Sequence, residues 1–237
     1  MTGRRRGRSE EASRLTARPG GVIHMPSERG LQPLGLGDRR DGLLYVPTTH
    51  SLPGPRPLLV LLHGAGGEAS HSIAPFTAAA EQRGLLLLAP DSRGGTWDVI
   101  LGGYGPDVAF IDRALAHVFA RSPVDPARVV LDGFSDGASY ALSLGLGNGD
   151  LFTHLMAFAP GFLAPAAQVG APRIFVAHGD GDRVLPIDRC SRVIVPQLRG
   201  AGYDVTYREF RGGHTVPGEV LGEALEWLEG RAPAGPS

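Results

Sequence analysis

Two runs of this sequence, LLVLL at 58–62 and LLLLA at 85–89, are apolar at every position. A strand with one face in water alternates apolar and polar residues. A short run without alternation belongs in a sheet that is covered on both sides. Neither run approaches the roughly 20 residues needed to cross a bilayer. Further strand-like runs are ARVVLDGF (127–134), HLMAFAP (154–160), APRIFVAHG (171–179) and VTYREF (205–210). Between them lie stretches with helical spacing: IAPFTAAAEQRG (73–84), residues 105–121 with Val108, Ile111, Leu115 and Val118, DGASYALSLGL (136–146), residues 187–201, and VPGEVLGEALEWLEG (216–230). An opening pair of strands is expected over 32–36 and 42–46. Strand alternating with helix predicts an α/β fold, a mostly parallel sheet with helices on both faces. In such a sheet the site forms outside the carboxyl ends of the strands.

The length of 237 residues suits one domain of this kind. It is expected over 31–231, with a short tail at 232–237. Residues 1–30 are arginine-rich and polar, which predicts a solvated, disordered tail or a basic arm for a partner. No apolar segment follows the basic start, so no signal peptide is recognised and a cytoplasmic location is expected. The net charge of −1 offers no field for nucleic acid. All basic residues are arginine, which excludes lysine chemistry, and the single cysteine, Cys190, excludes an internal disulfide. His63, His71, His117 and His154 show no metal-binding spacing, and no cofactor or metal is expected.

The sequence VVLDGFSDG (129–137) holds Ser135 between Gly133 and Gly137. With 13 serines and 35 glycines, chance supplies on the order of 0.3 such G-x-S-x-G matches in a chain of this size. Context decides: Ser135 stands where a buried strand must turn sharply into a helix, and glycine on both sides relieves the crowding. A serine hydroxyl needs a base, and the base needs an acid to orient it. In a serine, acid, histidine order, HGDGDRVLP and RGGHTVP supply Asp182 and His214. Asp180 competes as the acid but suits a turn brace better. His178, at a strand end, reads as a packed histidine, and His154 breaks the order. The tetrahedral oxyanion needs two N–H donors. Asp136, after the nucleophile, supplies one; LLHGAGG (61–67) supplies the other, with Ala65 first and Gly66 as the alternative.

LLHGAGG, GFSDG, HGDGDRVLP and GGH, in that order, resemble the α/β-hydrolase superfamily. The nearest likeness is to its small bacterial phospholipase/carboxylesterase-like members, related to acyl-protein thioesterases. It runs over about residues 40–230, and SRGGTWD (92–98) and FAPGF (158–162) share it. The resemblance implies a triad of Ser135, Asp182 and His214 and oxyanion donors at Ala65 and Asp136. It implies a serine carboxylic-ester hydrolase for short- to medium-chain esters, working through an acyl-enzyme. Thioesterase, feruloyl-type esterase and polyester depolymerase are alternatives with the same machinery, and a non-catalytic binding scaffold is a further one. Related thioesterases often carry Gln where this chain has Asp136. The short link between the strands at 154–158 and 173–178 leaves no room for a large lid. Trp97, Tyr104, Phe134 and Phe162 fall in or beside the loops expected to ring Ser135, and Leu185 adjoins them; these are the candidate pocket wall, with ordinary packing the competing reading for each. The expected partner is a small-molecule ester. Nothing in the sequence bears on oligomeric state.

Overall fold

The structure, a computed structural model, describes residues 7, 9–20, 28–37, 39–49 and 54–230. The tail expected at 232–237 lies outside the described residues, as do residues 1–6, 8 and 21–27 of the N-terminal segment.

Among the described residues eight strands form one sheet. They are β1 (Gly30–Pro33), β2 (Gly42–Val46), β3 (Arg56–Leu62), β4 (Leu86–Pro90), β5 (Val124–Phe134), β6 (His154–Phe158), β7 (Arg173–Gly179) and β8 (Val205–Phe210). Their order is β1-β2-β4-β3-β5-β6-β7-β8. β1 and β2 pair antiparallel and β2 meets β4 antiparallel; every other pairing is parallel. The unbroken apolar runs behave as expected: Leu58 to Leu62 and Leu86 to Ala89 are all buried.

The helices that cover the faces are α1 (Ala69–Ile73), α2 (Thr77–Arg83), α3 (Pro106–Phe119), α4 (Asp136–Gly147), α5 (Ser191–Gly200) and α6 (Gly218–Leu228). Residues 73–84, expected as one helix, form the end of α1, a 3-10 turn at Ala74–Phe76 with Pro75 inside it, and α2. α2 stops at Gly84, which takes φ +70, as a C-terminal glycine does. In α3, Val108, Ile111, Leu115 and Val118 are buried at the expected period, together with Phe110 and Ala114. The pleat divides the core into two layers. Val129 and Leu131 of β5 face the layer of α3, α4 and α5, whereas Val130 faces that of α1, α2 and α6.

Part of the segment whose composition suggested a disordered tail packs on this body. Leu15 is 2% exposed and anchors it. The Leu15 N–H donates to Asn148 Oδ1 at 2.9 Å, and Asn148 Nδ2 donates back to the Ser13 carbonyl at 2.9 Å. The N–H groups of Thr16 and Ala17 donate to Asp112 Oδ1. Side-chain carboxylate and amide groups on α3 and at the end of α4 satisfy the backbone here, so the segment docks without an apolar run of its own.

The connection from β3 runs to β4 on one side, and the chain then returns to β5 on the other side of β3. The strand order reverses at this point, leaving a crevice at the carboxyl ends of β3 and β5.

Candidate active site

Four strand ends supply the residues around that crevice. β5 ends at Phe134 and α4 begins at Asp136, so Ser135 alone makes the turn. Its backbone sits at φ 58, ψ −119, a conformation that L-residues with a side chain rarely adopt. The flanking glycines are required by contact. A Cβ on Gly133 would lie 2.2 Å from the Gly137 carbonyl oxygen, and one on Gly137 would lie 2.2 Å from the Leu62 carbonyl oxygen. These neighbours are backbone and cannot swing aside. Gly137→Ala is therefore expected to cost about 3 kcal/mol, seen in thermal unfolding as a drop of about 10 °C, and to displace Ser135.

The Ser135 Oγ lies 2.8 Å from His214 Nε2, in the loop after β8. His214 Nδ1 lies 2.6 Å from Asp182 Oδ2, in the loop after β7. Asp182 Oδ1 accepts the N–H groups of Val184 and Leu185, each at 2.8 Å. Burial opposes ionisation of Asp182, but the hydrogen bonds from His214, Leu185 and Val184 outweigh it and hold the carboxyl below its usual range. With Oδ2 an ionised acceptor, Nδ1 carries the ring proton and Nε2 is left to accept from the serine hydroxyl. Asp180, the competing acid, lies away from this relay: its Oδ1 accepts the Gly212 N–H at 3.2 Å and braces the loop that carries His214.

The loop after β3 lies against the nucleophile. A Cβ built on Gly64 would stand 3.4 Å from Ser135 Cβ. The Gly66 N–H donates to the Gly95 carbonyl at 2.7 Å, so this alternative donor is occupied. Among the described residues, the N–H groups of Ala65 and Asp136 have no hydrogen-bond partner. The Asp136 carboxylate is turned to the Thr96 hydroxyl at 2.6 Å. A cavity of about 420 Å³ opens beside these groups, lined by Gly64, Ala65, Phe134 and His214 and walled by Leu62, Phe76, Phe158 and Leu221.

No family model matches the chain. NocK of Nocardia uniformis subsp. tsuyamanensis, an esterase by name, is 30% identical over 158 residues, 61% of this chain and 45% of its own. Acyl-protein thioesterase 1 of Gibberella zeae is 24% identical over 154 residues, 59% of this chain and 65% of its own. Feruloyl esterase C of Emericella nidulans is 27% identical over 157 residues, 63% of this chain and 57% of its own. The chain thus spans about half to two-thirds of the length of these curated relatives. Among solved structures, esterase PE8 is 26% identical with a TM-score of 0.66, over 80% of this chain and 97% of that one. The chain has the α/β-hydrolase fold. An S-formylglutathione hydrolase from Agrobacterium tumefaciens shares that fold at 17% identity, with a TM-score of 0.67 over 90% of this chain and 99% of its own.

Within this α/β-hydrolase fold, only one of the five expected wall residues, Phe134, lines the cavity beside Ser135. Its ring tilts against His214 with centroids 4.8 Å apart. Trp97 is fully buried in the core; it stacks on Tyr140 and its Nε1–H donates to the His63 carbonyl at 2.8 Å. It props the loop after β3 from beneath. Tyr104 faces a separate hollow and its hydroxyl donates to the Ala164 carbonyl at 2.9 Å. Phe162 is half-buried on the link between β6 and β7 and does not line the cavity. Leu185 works through its backbone, giving its N–H to Asp182 and its carbonyl to His178 Nε2 at 2.8 Å. Residues 159–172, between β6 and β7, form no helix or strand.

Two supporting histidines stand out in the hydrolase fold. His178, fully buried, places Nε2 3.2 Å from Asp182 Oδ2 and Nδ1 2.7 Å from the Ser191 hydroxyl. Burial holds its imidazole below the usual range. His63 accepts the Ser92 N–H on Nε2 at 3.0 Å, with Nδ1 2.7 Å from the Gly64 carbonyl. Burial lowers its pKa as well. Both stiffen the loops that carry the site. Among the described residues no three His, Cys, Asp or Glu side chains converge to hold a metal, and no helix is long and apolar enough to cross a membrane.

Proposed function

We propose that the protein is a serine carboxylic-ester hydrolase that takes short- to medium-chain esters through an acyl-enzyme. The observation that carries this reading is the unbroken relay from Ser135 Oγ to His214 at 2.8 Å and on to Asp182 at 2.6 Å, with His214 lining the cavity. The esterase names of the relatives and of the neighbouring structure support it.

In this reading the Ser135 Oγ attacks the ester carbonyl carbon while His214 Nε2 takes the hydroxyl proton. The carbonyl oxygen becomes an oxyanion that accepts from the Ala65 and Asp136 N–H groups, each such donor being worth roughly 3 kcal/mol. As the tetrahedral species collapses, the C–O bond to the alcohol breaks and His214 gives that oxygen its proton. The acyl group is then joined to Ser135. Water attacks the acyl-enzyme, His214 again takes a proton, and the acid leaves with the serine hydroxyl restored. Asp182 fixes the His214 tautomer and stabilises the imidazolium in both halves.

The cavity of about 420 Å³ lies at the small end of ligand pockets and has mostly apolar walls. Hydrolysis of p-nitrophenyl esters is therefore expected to peak between two and eight carbons, an order-of-magnitude fit of chain to cavity, and to fall on longer chains. A rate that climbs steadily toward long-chain esters would refute this assignment. A matched thioester in the same panel separates the thioesterase alternative. A binding scaffold would hydrolyse none of them and leave Ser135 unlabelled by a fluorophosphonate probe.

A further inference from the structure

Asp132 stands on β5 three residues before Ser135, between Leu61 of β3 and Met156 of β6. It is 5% exposed, and its Oδ1 has no hydrogen-bond partner among the described residues. Val130 and Phe134 face the layer of α1, α2 and α6, so strand alternation sends Asp132 to that same side. The cavity lies there, and Asp132 lines it. Ser72 of α1 lines it too, and its Oγ is likewise buried without a partner.

Burying a carboxyl or a hydroxyl without a partner costs free energy that an apolar side chain would not. Among the described residues, two such atoms fall in the one cavity that His214 also lines. Burial pushes the Asp132 carboxyl well above the usual carboxylate range, against a smaller opposing contribution from the Gly133 N–H. Burial thus favours the carboxylic acid form, which has one O–H donor and free acceptor capacity. The Ser72 hydroxyl also donates and accepts. A ligand group that accepts from one and donates to the other satisfies both, and an aliphatic hydroxyl does this with the least bulk.

We propose that this cavity selects esters whose aliphatic chain carries a hydroxyl, held by Asp132 and Ser72, over the corresponding plain alkyl esters. The inference rests on the esterase reading above. The hydroxyl belongs to the acyl or to the alcohol half of the ester, and the two are separated by experiment.

The test compares kcat/KM for two matched pairs. One is p-nitrophenyl 3-hydroxybutyrate against p-nitrophenyl butyrate; the other is 3-hydroxypropyl butyrate against propyl butyrate. The protein should prefer the hydroxylated member of one pair by about tenfold or more, and that pair identifies the half. Asp132→Leu should erase the preference and raise the rate on the plain ester. Its melting temperature should rise, since a buried carboxyl with one unpartnered oxygen is removed. Should that variant not fold, Ser72→Ala reads the same loss of preference. Equal rates within both pairs, or a variant that changes all four rates alike, overturn the inference and leave the esterase reading standing. No hydrolysis of any of the four, with Ser135 unlabelled by fluorophosphonate, overturns both.

Discussion

Replacing Ser135 with alanine should lower kcat/KM for p-nitrophenyl butyrate by about a millionfold and abolish fluorophosphonate labelling. The size follows from cooperation. In the proposed mechanism the Oγ is the atom that joins the acyl group, and its proton goes to His214 Nε2 at 2.8 Å. What survives is the background from the donors of the oxyanion site, which binds the carbonyl without a nucleophile. A second variant makes the strain at this turn measurable. At φ 58, ψ −119 a side chain is held against its preference, and glycine relieves this. Ser135→Gly should therefore be as inactive as the alanine variant yet more stable, by about 1 kcal/mol, read from chemical unfolding. An alanine variant that keeps wild-type turnover would remove Ser135 from the chemistry.

Much of this arrangement was legible in the sequence because it rests on backbone. The apolar runs LLVLL and LLLLA read as strands buried on both faces, and both are buried. Gly133 and Gly137 are set by carbonyl oxygens 2.2 Å from where a Cβ would stand, a local constraint that leaves a local signature. The pocket was not legible, because a loop residue's direction depends on what lies beneath it. Trp97 in SRGGTWD looks like a wall residue, but the His63 carbonyl and the Tyr140 ring hold it in the core. The docking of residues 13–17 was hidden for another reason. Its partners, Asn148 and Asp112, are polar side chains distant in sequence, and they leave no apolar pattern in the segment itself. Asp132 did leave a signal. It is a carboxyl inside the otherwise apolar buried run VVLDGF, a break in pattern that the sequence analysis did not take up.

Replacing Asp182 with asparagine should lower kcat by about ten-thousandfold, while Asp180→Asn should stay within about tenfold of wild type. The contrast comes from which atom each carboxylate holds. Asp182 Oδ2 accepts from His214 Nδ1 at 2.6 Å and so fixes the tautomer. The amide presents an N–H₂ or a weaker carbonyl there, and the ring can turn its proton to Nε2, where it blocks the serine. Asp180 holds only the Gly212 N–H. A stability measurement separates this role from simple damage to the loop. The folded state holds the Asp182 carboxyl below its usual range, through hydrogen bonds that outweigh burial. A depressed folded value means the ionised form stabilises the fold above the unfolded value, near 4, and this stability is lost as pH falls through the lower, folded value. The stability gap between wild type and Asp182→Asn should thus be widest near neutral pH and narrow in acid. A gap that stays constant with pH, alongside an unchanged kcat, would move the orienting role away from Asp182 and on to His178 or Asp180.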